Sequence, residues 1–124
     1  MSLANVEYRT ADSALIARFD GEIDTSNAGP IVEAVARATP NDVDGVVLDL
    51  SGIEYLDSAG IQMIYRIRAS LRTRGQRLVM VIVPSSPVHD ALELAGVRGL
   101  VEIAATIEEA LDEMQDHQTD PTSA

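Results

Sequence analysis

The amino-acid sequence predicts a single α/β domain: an N-terminal β-hairpin, then βα units forming a small, mostly parallel sheet covered by helices. Three observations lead there. Short strand-like runs alternate with segments whose apolar residues recur at helical spacing. Val46 to Leu50 is a short apolar run of the kind that forms a buried strand, and Arg77 to Val83 is almost continuously apolar, as a strand buried on both faces must be. The length of 124 residues, with 46% hydrophobic and 23% charged, suits one domain with its own core.

The elements follow in order. Val6 to Arg9 and Ala14 to Phe19 are short strands joined by a turn at Ala11-Asp12-Ser13, and Asp20-Gly21-Glu22 turns the chain again. Ile31, Ala34, Val35 and Ala38 repeat at i, i+3, i+4, i+7 and define a first helix whose regular turns begin near Pro30. Val46 to Leu50 is the central strand, Ser51-Gly52 a turn, and Ile53, Tyr55 and Leu56 a small apolar patch. A second helix, with Ile64, Ile67 and Leu71 on one face, runs to about Arg74 and stops at Gly75. After the strand from Arg77, Ser86-Pro87 opens a third helix as cap and first residue, and Gly96 ends it. Leu100 to Ile103 is a short edge strand. Thr106 and Glu109 form a capping box for a last helix whose buried stripe is Ile107, Ala110, Leu111 and Met114. The domain spans 1–115, and the polar 116–124 is expected to be a disordered tail. No repeat or linker suggests a second domain.

Composition narrows the function. A net charge of −11 argues against nucleic acid or an anionic membrane surface as the principal partner and favours a protein partner. All nine cations are arginines, so lysine nucleophiles and P-loop chemistry drop out. Without cysteine there is no disulfide, thiolate metal site or thiol catalysis. Aromatic content is 3%, which leaves no platform for stacking bases. No apolar run approaches a membrane span and no signal peptide is visible, so a cytoplasmic location is expected. His89 and His117 stand alone, without ligands at metal spacing. No GxSxG, HExxH or GxGxxG occurs, and neither an enzyme nor a cofactor is expected.

The informative stretch is Val46 to Leu71, VVLDLSGIEYLDSAGIQMIYRIRASL. In it Asp57-Ser58-Ala59-Gly60 joins a strand–loop unit to a helix. Asp and Ser are favoured helix caps, since their oxygens accept from N–H groups two or three residues on. The same N-terminus, with unpaired N–H groups and the positive end of the dipole, tolerates an added phosphate.

These residues resemble the signature of the STAS domain of anti-anti-sigma factors, in which a strand leads to an Asp-Ser-(Ser/Thr/Ala)-Gly turn and a helix. Gly21-Glu22-Ile23-Asp24 with Asn27-Ala28, Leu92 to Val97, and Ile107 to Leu111 resemble further family segments in the same order, so the likeness covers about Val6 to Met114. It implies an anti-sigma factor antagonist whose unphosphorylated form binds an anti-sigma factor that is itself a serine kinase, freeing a sigma factor. Phosphorylation of Ser58 by that kinase ends binding, and a serine phosphatase restores it. The resemblance assigns Asp57 and Gly60 to shaping the turn. Asp24, with Asn27, is assigned to the docking surface, a role compatible with either residue simply capping the first helix. Ala59 and Gln62 complete the expected partner contacts together with Met63, which suits either core or contact surface and is assigned to the interface. Gln62, where the family commonly has a small residue, and Gly29-Pro30 depart from the pattern near that surface. The alternative from the same family is a scaffold subunit of a lipid-transport or stress-sensing complex, without phospho-switching. A nucleotide-binding module ranks last, because no glycine-rich cradle accompanies the helix N-terminus.

Two other groups have plainer readings. Asp24 and Asp49 invite comparison with response-regulator receivers, but the adjacent acidic pair and the lysine are missing; Asp49 is expected to be a loop-facing or edge carboxylate. Arg66, Arg68, Arg72, Arg74 and Arg77 surround the end of the second helix, where cations meet the negative end of the dipole on a solvated face. An acidic partner surface is the competing reading.

Overall fold

The computed structural model describes residues 4–118. Five strands, β1 (Ala4–Ala11), β2 (Ala14–Ile23), β3 (Gly45–Leu56), β4 (Arg77–Val81) and β5 (Glu102–Ala104), lie in the spatial order of the chain. β1 pairs antiparallel with β2, and every later pairing is parallel. Helices α1 (Ala28–Ala38), α2 (Ser58–Arg72) and α3 (Pro87–Leu94) make the connections, and α4 (Ile107–Gln118) closes the chain. The expected α/β architecture is therefore present, and the last helix runs on past residue 115. The rest of the expected tail, 119–124, lies outside the described residues.

Alternation along the central strands divides the core into two layers. Val46, Leu48, Leu50, Leu78, Met80 and Ile82 face α1, α2 and α3, meeting Val35, Ile64, Ile67 and Leu92. Val47, Val79 and Val81 face the other way and pack with Ala110 and Met114 of α4. Continuous apolar runs in β3 and β4 are thus explained by burial on both sides. Each fully buried aliphatic side chain contributes roughly 1.5–3 kcal/mol by leaving water.

Several boundaries differ from the sequence reading, each for a physical reason. The hairpin turn is Asp12-Ser13 alone, both at positive φ as a two-residue turn matching strand twist requires. Asp20-Gly21-Glu22 stays within β2, and Ser51-Gly52 stays within β3, because the two strands keep pairing to Ile23 and Leu56. They do so through two register shifts, between Arg18 and Asp20 and between Gly21 and Glu22, each with an extra residue on β3. The bulges place Leu50, Ile53 and Leu56 on one core face despite their three-residue spacing. Gly52 sits at the first bulge, where an added Cβ would lie 1.8 Å from Asp20 Oδ1. α1 starts at Ala28, earlier than Pro30.

Asp49 is a correction. It is neither an edge nor a loop carboxylate: it lies in the central strand, buried, with Oδ1 accepting from Ser51 N–H at 3.0 Å and Ser51 Oγ at 2.7 Å. The arginine group also divides. Arg74 crosses to α1, donating to the carbonyls of Ala36 and Thr39 and to Asn41 Oδ1. Arg77 pairs with Glu102 and donates to the Glu113 carbonyl. Only Arg66, Arg68 and Arg72 stay on the helix that carries them.

Candidate functional site

Because β2 to β5 are parallel, the loops leaving their C-terminal ends collect at one end of the sheet. The predicted site residues lie on two of those loops. The Asp57 N–H donates to the Ile23 carbonyl at 3.4 Å, which joins the β3–α2 junction to the β2–α1 loop. Asp24 and Ser58 each follow one of the two bonded residues.

At the start of α2 the capping role falls wholly to Asp57. Its Oδ1 accepts from Ala59 N–H at 2.9 Å and Gly60 N–H at 3.3 Å, and its carbonyl accepts from Ile61 N–H. Ser58 is the first helical residue; it is exposed, and its hydroxyl makes no hydrogen bond among the described residues. A cap satisfies N–H groups that the helix cannot. With Asp57 in that position, Ser58 carries no structural duty. Gly60 is buried against Leu56: a Cβ there would come within 2.5 Å of Leu56 Cγ, so α2 approaches β3 as closely as it does only with glycine.

The β2–α1 loop is locked by its own polar groups. Asn27 is buried; its Nδ2 donates to the Glu22 carbonyl at 2.9 Å, and its Oδ1 accepts from Asp24 N–H at 3.0 Å. Asn27 occupies the N-cap position of α1 but makes no side-chain cap bond. Asp24 Oδ1 accepts from Ser26 Oγ at 2.6 Å and Ser26 N–H at 2.9 Å. The Ser26 hydroxyl, then its N–H, hold the Asp24 carboxyl below the usual carboxylate range, opposed by slight desolvation. Asp24 thus stays ionised and fixed in orientation at the site's edge.

The remaining assignments separate. Gln62 is exposed on the first turns of α2 and Ala59 is half-buried. Met63 is a correction: only 1% exposed, it belongs to the core, since its position on α2 points between the helix and the sheet beside Ile64 and Ile67. Sequence reasoning missed Tyr55, grouped there with an apolar patch yet 50% exposed, paired in register with Glu22. The signal that existed was Tyr next to Glu54 at the end of a strand, but placing the ring outside required the bulges. Among the described residues no cluster of His, Asp and Glu could hold a metal, and no helix is long and apolar enough to cross a membrane.

With this geometry in place, comparison identifies the class. Residues 5–110 match the family profile of the STAS domain, and the chain belongs to that family. It is 27% identical over 100 residues to BtrV of Bordetella bronchiseptica, named as an anti-sigma factor antagonist, covering 80% of this chain and 84% of that protein. An anti-sigma factor antagonist from Mycobacterium paratuberculosis superimposes with a TM-score of 0.79 at 20% identity, covering 90% of this chain and 94% of the other. The anti-sigma factor antagonist SpoIIAA matches in its unphosphorylated form with a TM-score of 0.72 at 19% identity, over 90% of this chain and 97% of that one. The phosphorylated form of SpoIIAA, from Bacillus, gives 0.58 at 18% identity, over 88% and 98%.

Proposed function

We propose that this STAS domain is an anti-sigma factor antagonist whose binding to an anti-sigma factor with serine-kinase activity is switched off by phosphorylation of Ser58. The observation that carries the proposal is the division of labour at the start of α2. Asp57 performs the capping, and the neighbouring Ser58 hydroxyl is exposed and unbonded. Relatives named as anti-sigma factor antagonists, one of them solved in phosphorylated and unphosphorylated forms, support the same reading.

The switch follows from local electrostatics. A phosphate adds about −1.5 to −2 charge. Two N–H groups of the first turn are already bound to Asp57, and that carboxylate adjoins the phosphate. The new charge is therefore directed outward to the docked surface instead of being absorbed by the helix, so affinity falls while the fold persists. Asp24, Asn27, Asp57, Ala59, Gly60 and Gln62 frame the docking surface, with Tyr55 as an exposed aromatic of the type enriched in interfaces. A serine phosphatase resets the cycle.

Capture from the source organism's lysate with wild type, Ser58→Ala and Ser58→Asp as baits tests this, with partners and phosphosites identified by mass spectrometry. Wild type and Ser58→Ala should retain a kinase of the anti-sigma type, Ser58→Asp should lose it, and phosphate should map to Ser58. Equal capture of the same transport or stress-complex subunits by all three baits would overturn the proposal.

A further inference from the structure

A second surface lies away from the Ser58 end, where the close of α2 meets the segment before β5. Arg68, half-buried, and Arg72, exposed, lie one turn apart on α2, and neither makes a hydrogen bond or ion pair among the described residues. They line an opening of about 220 Å³ whose apolar part is Leu78 and Leu100, the latter 55% exposed. The nearby carboxylate, Glu102, is already paired with Arg77 and does not cancel the two free charges. Gln76 lines the same opening, buried, with its Nε2 held by the carbonyls of Pro40 and Val43 and its Oε1 without a donor. Arg72 gains from the helix C-terminus, but Arg68 lies before the last turn, where that effect has faded.

We infer that the Arg68–Arg72 face with Leu100 is a docking site for an acidic peptide segment of a partner protein that also carries an apolar side chain. Charge complementarity selects the occupant. The remainder of this −11 chain repels an acidic segment, and this face attracts it, which gives orientation as well as affinity. A free inorganic anion satisfies the arginines but leaves Leu100 uncovered. A peptide with an apolar side chain covers Leu100 and pairs with the arginines at once. The site is separate from the Ser58 surface and stands whether or not Ser58 is phosphorylated.

The test is an NMR titration of the ¹⁵N-labelled full chain with a peptide of alternating glutamate and leucine, its lysine–leucine counterpart, and inorganic phosphate. The acidic peptide should shift the amides of Arg68, Arg72 and Leu100 and leave those around Ser58 in place. Arg68→Gln/Arg72→Gln and Leu100→Ser should each weaken binding, the double variant by roughly tenfold or more, and added salt should abolish it. Unchanged spectra elsewhere establish that the variants fold. No shift at about 1 mM peptide, a range that would still register weak binding, would overturn the inference. So would equal binding by the double variant or the lysine peptide. Identical shifts from phosphate alone would assign the face to small anions and overturn it as well.

Discussion

Ile23 and Asp57 are neighbours through one backbone hydrogen bond, Asp57 N–H to the Ile23 carbonyl at 3.4 Å, and this contact brings the two halves of the candidate site together. Ile23 ends β2 and is followed by Asp24; Asp57 caps α2 and is followed by Ser58. The candidate site is therefore a property of two parallel strands finishing side by side. Four predictions follow from the bonds around that contact.

Asp57 and Ser58 should behave oppositely on substitution. Asp57→Ala removes the acceptor for two first-turn N–H groups and should cost about 0.5–2 kcal/mol in urea denaturation. Ser58→Ala removes no bond and should fall within about 0.5 kcal/mol of wild type. A larger loss from Ser58→Ala would return the serine to a structural role.

Gly60→Ala should destabilise by about 1–3 kcal/mol, because its Cβ would meet Leu56 Cγ at 2.5 Å and the helix must move off β3. The clash is specific, so it can be isolated. In a double-mutant cycle with Leu56→Ala the two costs should add to less than their sum. Strict additivity would mean that the loss arises elsewhere.

Asn27→Ala should cost about 1–3 kcal/mol, since it strands the Glu22 carbonyl and the Asp24 N–H at a buried position. The effect should be local first. Hydrogen exchange at Asp24 and at the start of α1 should accelerate more than exchange in β3, and uniform acceleration would count against a role in ordering this loop.

Asp24 links the site to pH. Hydrogen bonds from Ser26 depress its folded pKa. Such a carboxylate contributes stability that is fully present above its unfolded pKa and is lost as pH falls through the lower folded pKa. Its contribution should be complete at neutral pH and should disappear in the acid region below the ordinary carboxylate range. Thermal unfolding from neutral to acid pH should fall less steeply for Asp24→Asn than for wild type; superimposable curves would remove Asp24 from the linkage.

Much of the fold was legible because its signals are local. Ser86 does accept from His89 N–H ahead of Pro87, and Thr106 does cap α4. The return bond of that capping box reaches Ala105 N–H instead of the Thr106 amide, a shift by one residue. Less of the site could be read. Aspartate and serine are equally good caps, so only the folded chain decides that Asp57 makes the cap bonds and Ser58 makes none. Met63 fell on the wrong side because methionine suits both cores and adaptable surfaces, and its helical phase, set against the sheet, puts it inside.

By itself, then, the sequence determined which segments are strands and helices, that the strand from Arg77 is buried on both faces, and that the chain is acidic and free of cysteine and lysine. Periodicity, caps and composition act within a few residues, so they can be read along the chain. Tertiary structure alone decided the rest: the β3 bulges that expose Tyr55, the burial of Asp49, the passage of Arg74 to another helix's carbonyls, and the isolation of Arg68 and Arg72. Each depends on which distant groups come within a few ångströms once the strands pair, and that choice belongs to the packed core.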